Sequence, residues 1–584
     1  MNARQPDFTQ TGDEHPVPDR AGANAYLDDP EFAQLLALYL PADLLAHLQP
    51  HLHRLGELAG GELDQLAHTA DMHPPTLEHR SRAGVDAQRI LKHPAYVEME
   101  GLAFGEFGLA AMSHRAGVLG WGHTMPPAVK YALTYLFVQA EFGLCCPLSM
   151  TDSLTRTLRK YGAPELVQRY LADLTTQDLD ALSQGAMFMT EQGAGSDVSA
   201  TETWARPDAD EPGQAWRLHG DKWFCSNPDA ALAMVLARTE GAPAGMKGVS
   251  LFLLPRVLPD GTPNKYRIIR LKDKMGTRSM ASGEIRLEGA KAWLVGELGR
   301  GFAQMADMVN NSRLSNGMRA AGLMRRAVSE ALYISRHRQA FGKHLIEMPL
   351  MQRQLAKLMV PAEQARTMMF QTAEALHRSD AQEPGAYALT RLLTPLIKFR
   401  ACRDARKVTA DAMEVRGGCG YIEEWGDPRI VRDAHLGSIW EGTSNIVALD
   451  VMRAIVREDA LPVWHQHMET LMAATPWHPQ VRACLQTLLA QVHTLAEQTA
   501  HTKQESMARQ AASALYHLTT AMAMGWEAGK TGSMRRMLLA QLLLRHRLLP
   551  HNPVQPPQAV DLAPLFDAHA GVASLEELQT VNLC

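Results

Sequence analysis

Residues 184–297 read as a block of short strands set between two long stretches of helical periodicity, and few architectures accommodate that order. Runs at 216–220, 233–236, 249–254, 266–269 and 284–287 are apolar or alternating and are separated by Gly, Pro and Asp, which is the pattern of a small β-domain. Upstream, 31–183 is rich in Leu, Ala and Tyr, and prolines such as Pro41, Pro74, Pro94, Pro126 and Pro164 divide it into several short helices. Downstream, Leu314, Met318, Ala321, Met324, Val328 and Leu332 share one helical face, and Met351, Leu355, Leu358, Ala362 and Met369 share another. A third run over 389–415 stops at Gly417-Gly418, a helix-terminating pair. Pro361 is expected to kink the second helix. Further helices follow, among them 481–497 and 507–527, and 549–564 reads as a proline-rich wrap. The expected fold is mainly α with a central β-domain: a helical N-terminal domain (1–183), a small β-barrel or sandwich (184–297), a four-helix bundle (298–455), and an extra helical module with a tail (456–584).

Composition narrows the class. A chain of 584 residues with 46% hydrophobic and 21% charged residues is expected to form several soluble globular domains. A net charge of −5 argues against a dedicated nucleic-acid or membrane protein, although it leaves room for a local basic face. The seven cysteines include no Cys-x-x-Cys pair, and Cys145 and Cys146 are adjacent, so they read as thiols of a reducing compartment. Residues 2–30 carry no basic-then-apolar leader and no apolar run reaches about 20 residues, so the expected location is the cytoplasm. His51-Leu52-His53 and His465-Gln466-His467 lack a third ligand at a known spacing, and no metal is assigned.

The chemistry concentrates in Ile439-Trp440-Glu441-Gly442-Thr443-Ser444-Asn445. One carboxylate stands between a large aromatic and a Gly-Thr-Ser turn that opens an apolar helical run. Thr443 or Ser444 is placed to cap that helix, and the free N–H groups of such a start attract anions. A carboxylate shielded by Trp440 loses solvation, which raises its basicity, so Glu441 is the candidate general base.

Four other segments accompany it. Met187-Phe188-Met189-Thr190-Glu191-Gln192-Gly193-Ala194-Gly195-Ser196-Asp197, Trp223-Phe224-Cys225-Ser226, Arg338-Gln339-Ala340-Phe341-Gly342 and Gly417-Gly418-Cys419-Gly420-Tyr421 follow in order. Together with the Glu441 turn they resemble the cofactor motifs of the acyl-CoA dehydrogenase family, in register over roughly 90–455. Met413-Glu414-Val415, Arg270-Leu271-Lys272-Asp273-Lys274, Leu449-Asp450-Val451-Met452-Arg453 and the C-terminal extension are similar to its AidB-type alkylation-response branch, which is isovaleryl-CoA dehydrogenase-like.

The resemblance implies bound FAD. Met187, Met189 and Thr190 would serve the flavin edge, Trp223 and Phe224 its flat cover, and Cys225 and Ser226 the aligned flavin contact. Gly195 and Ser196 would meet the pyrophosphate. Arg338 would pair with the pyrophosphate of a neighbouring subunit, with Phe341 near its adenine, and Glu414 and Gly418 would line the adenosine end. Ile439, Trp440, Gly442, Thr443 and Asn445 would frame the base and the cofactor turn. Glu441 would take the α-proton of an acyl-CoA while the β-hydride leaves for flavin N5. A homotetramer and an acceptor such as electron-transfer flavoprotein are implied too.

Departures from the catabolic pattern include Trp440 for the usual tyrosine, Cys225 for the aligned threonine and Glu414 for a common glutamine. Some relatives carry their base just before an Arg-Leu that corresponds here to Arg313-Leu314; that position is Ser312, which cannot act as a carboxylate. The bulk of Trp440, with Arg453 further along the next helix, points to a short or branched acyl chain, or to a poor dehydrogenase. The alternative reading is an AidB-type flavoprotein that protects DNA from alkylation. Residues 451–550 hold ten Lys or Arg against six Asp or Glu, and Arg535, Arg536, Arg545 and Arg547 would then face double-stranded DNA.

Overall fold

The computed structural model describes residues 17–211, 215–555, 560–567 and 571–582. Helices α1 (Pro30–Tyr39), α2 (Ala42–Gly60), α3 (Glu62–Met72), α4 (Pro94–Glu100), α5 (Pro127–Phe137), α6 (Cys145–Tyr161) and α7 (Pro164–Thr175) form the N-terminal part. Five of the seven have a proline at, or immediately before, their first residue, where the missing N–H costs no helical bond. A hairpin that the sequence did not announce, β1 (Thr76–Arg80) and β2 (Asp86–Leu91), interrupts these helices. It docks onto the β-domain: the Gln88 side chain accepts from the backbone N–H of Ile268 at 2.8 Å, and its carbonyl accepts from Arg256 at 2.6 Å.

The β-domain comprises β3 (Gly185–Phe188), β4 (Trp204–Pro207), β5 (Trp216–Ser226), β6 (Leu232–Thr239), β7 (Val249–Pro255), β8 (Tyr266–Leu271) and β9 (Ser282–Leu294). Pairings β6–β4, β4–β5, β5–β9, β9–β7 and β7–β6 close a ring, with β3 beside the first half of β6 on the edge that β4 takes further along, and β8 on β9. The expected barrel is therefore present. Both faces of β6 and β7 are buried: Ala233, Val235, Ala237 and Phe252 fill the barrel, while Leu232, Met234, Leu236 and Leu253 pack against helices.

Beyond the barrel lie α8 (Gly301–His337), β10 (Gln339–Ala340), β11 (Lys343–His344), α9 (Pro349–Asp380), α10 (Ala386–Arg416), α11 (Gly426–Gly437), α12 (Ser444–Arg457), α13 (Ala460–Ala473), α14 (Pro479–His501), α15 (Ala508–Thr531), α16 (Met534–Arg547), α17 (Ala563–Phe566) and α18 (Leu575–Thr580). Helix α9 runs on through Pro361, the position expected to kink it, and α10 through Pro395, without either proline ending its helix. Both prolines sit on buried faces, where packing along the whole helix offsets one lost backbone bond. Gly417, at φ +74, ends α10 as the sequence indicated.

The C-terminal helices share the apolar core of the bundle, with Leu515, Tyr516, Leu518 and Met522 continuous with α9, α10 and α12. Gly532, at φ +71, ends α15, and the hydroxyl of Ser533 caps α16 on the N–H of Arg536. This turn folds α16 back on α15, and it corrects the expectation of a basic surface: Arg535 and Arg536 point inward.

Arg536 is 1% exposed and reaches Glu527 at 2.5 Å and Glu363 at 3.0 Å. Arg535 pairs with Glu31, and Arg366 pairs with Asp29 at 2.6 Å and with Glu363. Arg325 completes the set on Asp29 at 3.3 Å. Asp29, Glu31, Glu363 and Glu527 thus balance Arg325, Arg366, Arg535 and Arg536 inside the protein. The proline-rich stretch is described except for 556–559, and it leads to Leu565 and Leu578, which are buried.

Replacing Glu527 by Ala should strand Arg536 without its nearest carboxylate and destabilise the fold by about 3–5 kcal/mol. Urea denaturation would show this as an earlier first transition, and the double change E527L/R536M should recover most of the loss, since it removes both charges.

Candidate active site

Helix α8 is buried along most of its length and carries the inner wall of the site. Ser312 and Asn316, one turn apart, donate from Oγ and Nδ2 to the two carboxylate oxygens of Glu441. Arg313 Nε donates to the Glu441 carbonyl at 3.1 Å and its Nη1 pairs with Asp450 at 2.7 Å. Behind the turn, the buried Lys398 donates to the carbonyls of Gly437 and of Trp440, the latter at 2.9 Å. Burial pushes the Lys398 ammonium down. Held at both ends, Glu441 adopts φ +55 and Gly442 φ +100. A glutamate in the left-handed region is strained, and it persists because its surroundings fix it.

Thr443 stands at the N-cap of α12 but its hydroxyl makes no capping bond, so the expected side-chain cap is absent and the first N–H groups of the helix stay open. Thr443 and Asn445 are exposed, Ile439 is largely exposed, and Trp440 is half-buried with its indole N–H unpartnered. Trp440 stacks on Phe142 with ring centroids 5.9 Å apart.

The opposite wall comes from the barrel. Met187 and Met189 pack at the rim of the helical core, and the Thr190 carbonyl accepts from the Trp223 N–H at 2.8 Å. Between Lys222 and Cys225, β5 gains one residue over β9, a β-bulge. The bulge keeps Lys222 and Cys225 inside while both Trp223 and Phe224 turn outward, Phe224 to 56% exposure. Cys225 accordingly lies in the barrel core with a thiol pushed well up by burial, and it is Ser226 that faces the helices, bonded to Cys146 of α6. The sequence had offered both Cys225 and Ser226 as flavin contacts; past the bulge the Cys225 side chain is shut inside the barrel and that of Ser226 is not.

The turn after β3 is held from beneath. Glu191 accepts from the backbone N–H groups of Glu202 at 2.6 Å and Thr203 at 3.2 Å and pairs with the buried Lys222 at 2.6 Å. Gly195 and Ser196 are exposed, and a Cβ added at Gly195 would meet nothing within 4 Å, so the backbone there is open to a large ligand. Lys272 places its ammonium 3.5 Å over the Trp223 ring and 4.8 Å over Phe224. The sequence marked Lys272 only as part of a branch motif. An open glycine turn beside two outward rings fits a flat, phosphate-bearing cofactor.

Arg338 and its partners lie elsewhere. Arg338 donates to the Arg416 carbonyl at 2.9 Å, beside Gly417 and Gly418, with Glu414 exposed nearby in sequence. Phe341, at φ +53, tips the β10–β11 hairpin and is 97% exposed. Arg338 follows Ser312 by 26 positions, which is about 39 Å of helix. Within one chain the Arg338 group and the Glu441 turn are two separate places.

A second loop closes the site from the barrel side. Gly276 lies so close to α11 that a Cβ would fall 2.7 Å from the Arg432 carbonyl, and the Thr277 N–H donates to Asp433 at 2.6 Å. Burial pushes the Asp433 carboxyl up to about 7, with Glu141 and Asp71 adding to the effect. Burial also pushes Lys274 on the same loop down to about 8. Among the described residues no cluster of three or more His, Cys, Asp or Glu could hold a metal, and no helix is long and apolar enough to cross a membrane.

Three domain families match the chain in succession: the adaptive response protein AidB N-terminal domain over 16–181, the acyl-CoA dehydrogenase middle domain over 186–290, and the acyl-CoA dehydrogenase C-terminal domain over 299–456. The Escherichia coli (strain K12) protein AidB is 34% identical over 415 residues, which are 69% of this chain and 73% of that one. Acyl-CoA dehydrogenase family member 11 of Caenorhabditis elegans is 32% identical over 468 residues, 77% of this chain and 74% of its own. The chain belongs to the acyl-CoA dehydrogenase family. FAD is the cofactor of that family. The crystal structure of Caenorhabditis elegans ACDH-11 in complex with C11-CoA superposes with a TM-score of 0.85 at 27% identity, covering 94% of this chain and 95% of that one. The likeness therefore includes helices beyond residue 456.

The raised Asp433 carboxyl has a direct consequence for stability. A carboxyl harder to ionise when folded binds more protons in the folded state, so its contribution is full below the ordinary value of 3.8 and is lost as pH rises through about 7. D433N keeps the acceptor for Thr277 and removes the titration. Its stability relative to the native protein should climb across that window by on the order of 3 kcal/mol, read from urea midpoints at about pH 5 and about pH 7.5; parallel curves would show that Asp433 does not titrate there.

Proposed function

We propose that the protein is an FAD-dependent acyl-CoA dehydrogenase in which Glu441 removes the α-proton of the thioester. The observation that carries this reading is the Ser312–Glu441–Asn316 lock. The helix position from which some relatives supply a base is here a serine, and its hydroxyl is spent on orienting Glu441. One carboxylate, fixed by two donors and held in a strained turn, then faces the space between α8 and the barrel rim. FAD, when bound, supplies the acceptor for the β-hydride.

This chain's residues would do the rest. The glycine turn at Gly195 and Ser196 would take the pyrophosphate, and Thr190 with the backbone of Met187 and Met189 would serve the flavin edge. Trp223 and Phe224 would cover the ring from the barrel side, with Lys272 above them. The open N–H groups at the start of α12 would polarise an oxygen of the ligand. Trp440, stacked on Phe142, shortens the cavity and favours a short or branched acyl chain. Because Arg338, Phe341, Glu414 and Gly418 stand about 39 Å of helix from Ser312, they would complete the cofactor site of a second subunit. That separation supports a symmetric oligomer, a homotetramer in the family pattern, with an electron-transfer flavoprotein or another acceptor taking the electrons.

The duplex-binding alternative is weaker than the sequence suggested, because Arg535 and Arg536 are committed to buried carboxylates. Arg547 remains exposed, and Arg545 is partly exposed.

E441Q should keep FAD and lower acyl-CoA-dependent flavin bleaching, followed anaerobically, by at least about a hundredfold, the scale of a general base. Unchanged bleaching kinetics would assign the proton transfer to another group. R338A should leave the fold intact and shed FAD on gel filtration, since a bidentate phosphate contact is lost; full retention of the flavin would detach Arg338 from the cofactor.

A further inference from the structure

Arg319 follows Asn316 by three residues and Ser312 by seven, which places it on the same stripe of α8, about 10 Å further along the axis. It is 0% exposed. Its Nε donates to the Ser315 carbonyl at 3.3 Å, while Nη1 and Nη2, both buried, find no acceptor among the described residues. Its guanidinium carbon lies 4.8 Å from the Trp440 ring and 5.4 Å from Phe142. Those rings meet the face of the cation. They leave its in-plane N–H donors unsatisfied, and a guanidinium binds acceptors in that plane.

The neighbourhood supplies no carboxylate to correct this. Arg313 and Arg391 share Asp450, at 2.7 Å and 3.6 Å. Lys398, a second buried cation, donates only to carbonyls. Glu441 is already taken by Ser312 and Asn316. The Trp440 ring against which Arg319 lies immediately precedes Glu441, which puts Arg319 on the side of α8 that faces the Glu441 turn. A buried cation with two free donors, beside a base and lacking a counter-ion, matches a ligand that brings its own anion.

We infer that Arg319 recognises an anionic group at the far end of the acyl chain, so that the preferred thioesters are mono-CoA esters of dicarboxylic acids. The inference rests on the dehydrogenase reading of Glu441, and it specifies the substrate class of that site. With the reacting carbon at Glu441 and the tail two helical turns away, Nη1 and Nη2 pair with the terminal carboxylate in the fork geometry that such a group favours. Arg319 would thus set specificity without touching the transferred proton or hydride.

The test separates recognition from turnover. Calorimetric titration of the FAD-loaded, full-length E441Q protein compares glutaryl-CoA with pentanoyl-CoA and adipoyl-CoA with hexanoyl-CoA. The dicarboxylyl member of at least one pair should bind about tenfold or more tightly, the scale of one charge-assisted pair. In R319M on the same background that preference should vanish, with flavin content unchanged. R319K, which keeps the charge and loses the fork, should retain part of it. Equal or weaker binding of both dicarboxylyl thioesters by E441Q overturns the inference, whether or not R319M folds, and so does a preference that survives R319M. Should no thioester bleach the flavin of the native protein while the affinity ratio holds, the dehydrogenase reading fails and the anion-recognising role of Arg319 stands.

Discussion

A helix buried on nearly every face must find partners for the polar side chains it carries, and along its 37 residues α8 does so for most of them, leaving the Nη donors of Arg319 open. Its N-terminal half spends Ser312, Arg313 and Asn316 on the Glu441 turn. Its middle gives Arg325 to Asp29 and Arg326 to Asp64 and Glu330. Its last residue lies next to Arg338, at the surface. Position along this one element therefore decides which groups turn to the Glu441 site and which lie at the surface.

The barrel answers α8 with a different device. Its strands keep the two-residue period over most of their length, and of the three places where the register shifts, the one at Trp223 and Phe224 faces the site. Without the extra residue one of those two rings would turn into the barrel beside Leu218 and Cys225, and the rim would lose half of its aromatic surface. The Glu191–Lys222 pair sits directly under that break. It joins the glycine turn to β5, so the two parts of the barrel wall keep a fixed spacing.

Much of this could be read from the residues alone. The strand block, the long helices and the Gly417 terminus are local signals, and the Glu441 and Gly195 turns are short motifs whose neighbours in sequence are also their neighbours in space. Other features depend on distant partners and left no such trace. The β1–β2 hairpin is too short for its alternation to stand out, and it exists because Gln88 and Ile90 complete the barrel. Arg535 and Arg536 look solvated in a helix; only the turn at Gly532 and three carboxylates, Glu31 and Glu363 from remote segments and Glu527 from the preceding helix, bring them indoors. Ser312 next to Arg313 carried no sign that its hydroxyl meets a residue 129 positions later, and Cys225 could be separated from Ser226 only by the bulge.

The balance of four arginines and four carboxylates also bears on how the parts of the chain depend on one another. The match to the family's C-terminal domain ends at residue 456, and the helices beyond it form an appendage tied to the rest by charge. Glu527, Arg535 and Arg536 are counter-ions for one another and for groups on α1 and α9. Deleting the appendage would expose apolar helix faces and leave Glu31 and Glu363 with fewer positive neighbours than negative ones require. The helices beyond residue 456 thus act as an interlocked part and not a detachable one: trimming them is tolerable only together with the ionic groups they answer on α1 and α9.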